Sequence, residues 1–384
     1  MQITTEQFLH ACHVTNQDRE LIRLYGLHGQ AAEEEIAAWF QSVDFEALPM
    51  EHTTMAAVMC AEHRYAGAPP ELKPRLEGIL RYHRMHNTGL YAALCTLAKA
   101  LNSQGIDVMI LKGAAIKIGY DAGFVRPMWD TDIQVRQKDY ETACRIAMDL
   151  GYTGIQRPHS IDLHRGTNES IDLHCVYVRD LLSRKNRHYW PEHTEHLWNG
   201  ARILIPERHA LLLQLMTNAC GNIVASKNRY LPLRWVMDLD TIVRSGVDWD
   251  RLVELAISLE LQTPAYIMLV AYAAVLPDRL DAAPLLRRLN AERAASHYFA
   301  FLPRYYRCDR RFRNPPKNCS ALRLAAIHIH WLWMDCRVKE AGSLLRSLRW
   351  FPTYLCQELQ TDSLLQLPAV ALRKIRNYHN RKDK

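Results

Sequence analysis

The stretch SIDLHRGTNESIDLH, residues 160–174, repeats the same five letters on both sides of Gly166-Thr167-Asn168. Glycine and asparagine tolerate the left-handed backbone that short turns need, so the two copies are predicted to be the arms of a β-hairpin. In that register Asp162 faces Asp172 and Arg165 faces Glu169. Side chains alternate along a strand. Ile161, Leu163, Ile171 and Leu173 therefore share one face, the predicted core side. Ser160, Asp162, His164, Ser170, Asp172 and His174 share the other. Opposed carboxylates repel, so this polar face is either a solvated surface or a place where water, a protonated histidine or a metal ion compensates.

Upstream, IDVMIL at 106–111 is a β-branched apolar run of strand length, GAAIKIGYDAG reads as a short helix, and TDIQVR at 131–136 alternates as a second strand. KDYETACRIAMDLG at 138–151 is an amphipathic helix stopped by Gly151. Strand, helix, strand, helix and hairpin make an α/β unit with a mixed sheet. Residues 1–87 space their apolar positions by three and four, as helices do. From Pro206 the pattern is helical again, through ERHALLLQLMTNAC, LRWVMDLDTIVRSG, DWDRLVELAISLEL and TPAYIMLVAYAAVL. The predicted fold class is thus α+β: a small mixed sheet unit over 88–205, a helical region over 1–87 before it, and an all-α region with a basic tail over 206–384.

The chain has 384 residues, a net charge of +7, 48% hydrophobic and 23% charged residues. That is globular composition with room for a large core. The basic excess suits a phosphate-bearing partner but falls short of a dedicated nucleic-acid binder. Ten scattered cysteines without a C-x-x-C pair exclude a zinc ribbon and suit buried thiols in a reducing compartment. The start lacks a signal pattern, and the longest apolar run, 265–276, is shorter than the roughly 20 residues a membrane helix needs. A cytoplasmic protein without a membrane segment is the expectation.

Asp130-Thr131-Asp132 opens the second predicted strand. Residues i and i+2 of a strand point the same way about 7 Å apart, a spacing at which two carboxylates can bridge divalent cations. A third carboxylate from a neighbouring strand, with an open side for phosphate, suits Mg²⁺. The other two D-x-D pairs are weaker. Asp238 and Asp240 lie in a helical pattern, where i and i+2 diverge, and Asp248 is placed to cap a helix.

The ordered set LKGAA (111–115), RPMWDTDIQV (126–135), a helix ending DLGY (149–152) and IDLHCVY (171–177) resembles the nucleotidyltransferases of the DNA polymerase β-like superfamily. Within it, the chain looks most like the group known as uncharacterised nucleotidyltransferases, over about residues 88–275. The resemblance implies that Asp130 and Asp132 hold the metal ions, two Mg²⁺ (or Mn²⁺). Asp172 is then the third acidic group, orienting the attacking hydroxyl or acting as its base. It implies nucleotide contact through Lys112, Gly113, Ala114 and Arg126, with His174 on the same face as Asp172. The activity implied is transfer of an NMP group from an NTP such as ATP to an acceptor hydroxyl, with a small molecule or a peptide or protein favoured as acceptor. Ala114 stands where the superfamily carries a second glycine or a serine. That departure keeps open a second class, an inactive module that binds nucleotide or a partner.

Asn218, Asn222, Lys227, Arg229 and Arg234 are candidates for base or ribose contact, while Trp235 and Asp238 read as structural. His193 and His196 have H-x-x-H spacing without a third ligand, and Asp162 has no assigned role. The segment 303–319 interleaves six basic residues with Tyr305, Tyr306 and Phe312. It is either a solvated basic face or a single-strand nucleic-acid contact, which leaves RNA binding as a third class.

Overall fold

The computed structural model describes residues 14–121, 123, 125–167, 169–182, 185–225, 232–313, 321–339, 344–359, 361 and 366. The N-terminal part is helical: α1 (Asn16–Gly26), α2 (Gly29–Ser42), α3 (Met50–Glu62) and the long α4 (Lys73–Ser103). α4 carries Pro74 in its first turn and stops just before Gly105, whose φ is +71°. Its leucines at 76, 80, 90, 94, 97 and 101 are fully buried. Each contributes roughly 1.5–3 kcal/mol, and they press the helix against the sheet.

That sheet has seven strands among the described residues: β1 (Met109–Ile110), β2 (Thr131–Gln134), β3 (Thr153–Gln156), β4 (Ser160–Arg165), β5 (Glu169–His174), β6 (His193–Trp198) and β7 (Ala201–Pro206). The spatial order is β3-β4-β5-β2-β1-β7-β6. It is mixed, with β2 parallel to β5 and β1 parallel to β7, the remaining pairs antiparallel. Between the strands lie α5 (Lys112–Gly119) and α6 (Tyr140–Asp149), as predicted.

The hairpin forms in the predicted register, with Asp162 opposite Asp172, Ser160 opposite His174 and Arg165 opposite Glu169. Gly166 turns it with φ +61°; Asn168 lies outside the described residues. Ile161, Leu163, Ile171 and Leu173 are buried as the alternation requires. The polar face differs from a solvated surface in one half: Ser160 and His174 are buried as well.

Three strands escaped the sequence reading. β3 is exposed along its whole length, and β6 is an edge strand exposed at most positions, so neither shows an apolar stripe. β7 is apolar and buried but abuts the next helix without a turn signal. His193 and His196 fall on β6, where positions three apart point to opposite faces. They bond Pro191 O and Thr194 respectively and share no site.

Beyond the sheet run α7 (Arg208–Ala225), α8 (Pro232–Arg244), α9 (Trp249–Ser258), α10 (Gln262–Val275), α11 (Ala283–Leu289), α12 (Glu292–Arg313), α13 (Ala321–Lys339) and α14 (Leu344–Leu359). One continuous apolar core joins residues from Val14 to Met334. No described helix is long and apolar enough to cross a membrane, and no disulfide links the described cysteines. The basic segment 303–319 is helical to Arg313; the rest of it, and the tail 373–384, lie outside the described residues. Tyr305 is buried against Asp335, and Phe312 stacks on Trp331 with ring centroids 4.6 Å apart. Two of the three aromatic rings singled out there are thus used in packing.

Candidate active site

β2 and β5 run side by side and parallel, with Asp132 directly in register with Asp172. Both side chains are mostly shielded, at 10% and 17% exposure. Asp130 sits just ahead of β2 at the exposed rim. The three acidic residues predicted to converge do so around one cavity of about 320 Å³.

Charge on the strands is balanced by two cations. Lys112 Nζ pairs with Asp132 Oδ1. His174 Nε2 lies 3.0 Å from Asp172 Oδ2 and 3.2 Å from Asp132 Oδ1, bridging the two strands. Burial alone would discharge His174, but Asp172 and Asp132 outweigh it and hold the imidazole up at about 9. Conversely, His174 and Lys112 overcome burial and keep Asp172 well below the usual carboxylate range. Asp130 behaves differently. The cavity walls strip water from its carboxyl and Asp132 repels it, and together they push it up to about 6 against Lys112 and Arg126.

Lys112 occupies the left-handed region with φ +50°, unusual for a side-chain-bearing residue. Gln214 Oε1 accepts from its backbone N–H at 3.3 Å, while Gln214 donates to Tyr177 O at 3.0 Å. This strained residue begins α5 and aims its ammonium at Asp132. Strain of this kind gathers at functional sites. Gly113 follows for a different reason. A Cβ there would meet Arg126 Nη1 at 2.7 Å and Cδ at 2.9 Å, so glycine lets the arginine lie across the helix start.

Arg126 is itself pinned. Its Nε pairs with Asp238 Oδ1 of α8 at 2.7 Å, and its carbonyl accepts from Asn87 Nδ2 at 2.7 Å. Asp238, read from sequence as structural, is the anchor for this cation. Arg234, one turn earlier on α8, lines the cavity, and burial lowers its pKa. The far wall also includes Asn218, Asn222 and Trp235. Lys227 and Arg229 lie outside the described residues.

Some predicted contacts fall elsewhere. Gly113 and Ala114 are buried behind Arg126 and do not line the cavity. His174 reaches the acids from behind. Asp162 pairs with Arg157 at 2.7 Å and stays off the cavity. Among the lining residues that had no sequence signal are Trp129, 51% exposed at the rim, and His159, whose ring centroid is 5.6 Å from that of His174.

The site is thus a set of acidic residues on adjacent strands of a mixed sheet flanked by helices. Residues 50–277 match the family described as "Uncharacterised nucleotidyltransferase", and the chain belongs to that family. Membership places it among the nucleotidyltransferases as a general activity class. A solved structure, that of an antigenic nucleotidyltransferase-like protein from Paracoccidioides brasiliensis, is similar over 52% of this chain and 93% of its own, with 17% identity and a TM-score of 0.36. No curated protein matches the chain.

The donor set suits a hard divalent ion such as Mg²⁺. It is all oxygen, and Asp172 Oδ1 is buried with no hydrogen-bond partner. The charge argument points the same way. Asp130, Asp132, Asp172 and Asp238 are matched in number by Lys112, His174, Arg126 and Arg234 around the cavity, so any further anion held there needs added positive charge.

Proposed function

We propose that the chain transfers an NMP group from a nucleoside triphosphate to an acceptor hydroxyl, with pyrophosphate as the leaving group. The observation that carries this reading is the register of Asp132 with Asp172 on adjacent parallel strands, beside Asp130, Lys112 and Arg126 on one cavity. Asp130, Asp132 and Asp172 hold two Mg²⁺ (or Mn²⁺) ions, which when bound supply positive charge to the triphosphate. Arg126 and Arg234 face the phosphates. Lys112 holds Asp132 in place, and Gly113 leaves room for Arg126 beside it. Asn218 and Asn222 are within the same wall for base or ribose. Asp172 accepts the hydrogen bond of the acceptor hydroxyl and orients it. Its depressed basicity makes it an orienting group rather than a strong base. The hydroxyl oxygen bonds to the α-phosphorus, the bond to the β-phosphate oxygen breaks, and the proton leaves to solvent.

The three-part division at 88 and 206 goes with this proposal, the middle part carrying the acids and the helical part the opposite wall. A cavity of about 320 Å³ sits at the small end for ligand sites, which favours a small molecule or a peptide hydroxyl as acceptor. A second reading, binding without transfer, draws on the direct pairing of Asp132 and Asp172 with Lys112 and His174. Incubation with each labelled NTP and Mg²⁺, with and without cell extract, separates the two. Transfer predicts metal-dependent pyrophosphate release and label on a small molecule or peptide. No release with any nucleotide and either metal overturns it.

Gly113→Ala tests the nucleotide side. The new Cβ drives Arg126 off its place beside Asp238. The expected result is a rise of roughly tenfold in KM for the nucleotide, about 1.4 kcal/mol, with kcat less affected. An unchanged KM would remove Arg126 from nucleotide binding.

A further inference from the structure

We propose that His159, Asp172 and His174 form a second kind of metal site, one for a transition-metal divalent cation such as Zn²⁺ or Co²⁺, sharing Asp172 with the carboxylate cluster. One ligand atom from each of the three lies within 4.8 Å of the others. Ligands about 2.1 Å from a common ion stand no more than about 4.2 Å apart. In a tetrahedral site such ligands stand about 3.4 Å apart, so the widest pair closes by up to about 1.4 Å on binding, a shift that side-chain torsions of two histidines and one aspartate supply.

The donor chemistry separates this corner from the Asp130 side. Two imidazoles and one carboxylate select borderline transition ions, whereas Mg²⁺ takes oxygen ligands. The polar bookkeeping also points to a ligand. Nδ1 of His159 and Nδ1 of His174 are both buried without a hydrogen-bond partner. Buried polar atoms without partners are uncommon, and the two imidazole nitrogens of this cluster are open to a ligand.

The backbone holds the three in place. His159 precedes β4, and its carbonyl accepts from Cys175 N at 3.0 Å and from Cys175 Sγ at 3.3 Å. Asp172 and His174 share one face of β5 two residues apart. Asp132 keeps its pair with Lys112.

The inference does not rest on nucleotidyl transfer, so its test needs no nucleotide. Metal-free protein is dialysed against Co²⁺ in a large excess of Mg²⁺. Bound cobalt is counted by elemental analysis, and its visible spectrum is recorded. The wild type is expected to keep about one Co²⁺ per chain, with nitrogen and oxygen ligand bands and no thiolate charge-transfer band. Asp130→Asn keeps it. His159→Ala and His159→Gln lose it, each checked for native circular dichroism so that misfolding is not read as ligand loss. No retained Co²⁺ in the wild type, or equal retention in both folded His159 variants, overturns the site. Transfer that fails in every assay while cobalt binds as described sinks the enzymatic reading and leaves this one standing.

Discussion

Asp130→Asn is expected to lower nucleotidyl transfer by at least ~10³-fold, a barrier rise of about 4 kcal/mol, in a protein that melts no lower than wild type. The reason lies in where Asp130 sits. It is at the exposed rim, outside the core, and forms no ion pair of its own among the described residues. Asparagine keeps its size and removes one charge from a crowded set. The residue is exposed as a whole, but neighbouring groups crowd its carboxyl and, with the charge of Asp132, push it up to about 6 in the fold, above the roughly 3.9 of an unfolded chain, so the folded state favours the protonated form. The ionised carboxylate therefore opposes folding at neutral pH, and that penalty fades as pH falls through about 6 toward 4. The neutral amide should match or slightly exceed wild type in melting temperature at pH 7.5, with the gap closing near pH 4. Pyrophosphate release and a melting series over that pH range check both halves. Undiminished transfer by the pure variant sinks the site assignment; lost transfer with a lowered melting temperature would leave only misfolding.

The hairpin at 160–174 was legible to the residue because its apolar and polar letters alternate strictly and a glycine marks the turn. A slip of one residue would have put Ile161, Leu163, Ile171 and Leu173 into the polar face. The neighbouring strand β2 was legible from the same alternation, whereas the meeting of Asp132 with Asp172 was implied by the resemblance to the nucleotidyltransferases rather than by the pattern. Strands without an apolar face gave no such signal, which is why exposed β3 and edge strand β6 went unread. The opposite wall of the cavity was beyond reach for another reason. Arg126 and Asp238 are over a hundred residues apart in the chain, and no periodicity announces a contact made by packing one helix over a sheet. The same holds for Lys112. The family resemblance implied phosphate contact for it, and only the fold turns its ammonium onto Asp132.

The pair Asp238 and Asp240 carries the strongest expectation about stability. On a helix, positions two apart diverge, and these two serve separate networks. Asp238 holds Arg126 at the cavity. Asp240 is fully buried and accepts from Tyr272 OH of α10 at 2.7 Å, with Arg244 Nε at 3.1 Å and Arg279 Nε at 3.5 Å. Arg244 extends the network to Glu62 of α3 at 2.8 Å and Tyr25 of α1 at 3.1 Å. One carboxylate thus ties the N-terminal helices to α8 and α10. Asp240→Ala leaves the Tyr272 hydroxyl without its acceptor and two arginines without their common counter-ion. Breaking a buried pair from one side costs about 3–5 kcal/mol, and here the lower half of that range applies because Arg244 and Arg279 retain 35% and 21% exposure and can turn toward water. The expected fall in melting temperature is on the order of 5–10 °C. Asp240→Asn, which keeps an acceptor for Tyr272 but no charge, should fall between that variant and wild type. Because α8 also carries Arg234, Trp235 and Asp238, the loosened helix should weaken nucleotide binding while leaving the strand carboxylates in register. Wild-type melting by Asp240→Ala would mean that the N-terminal helices are held to the rest by apolar contact alone.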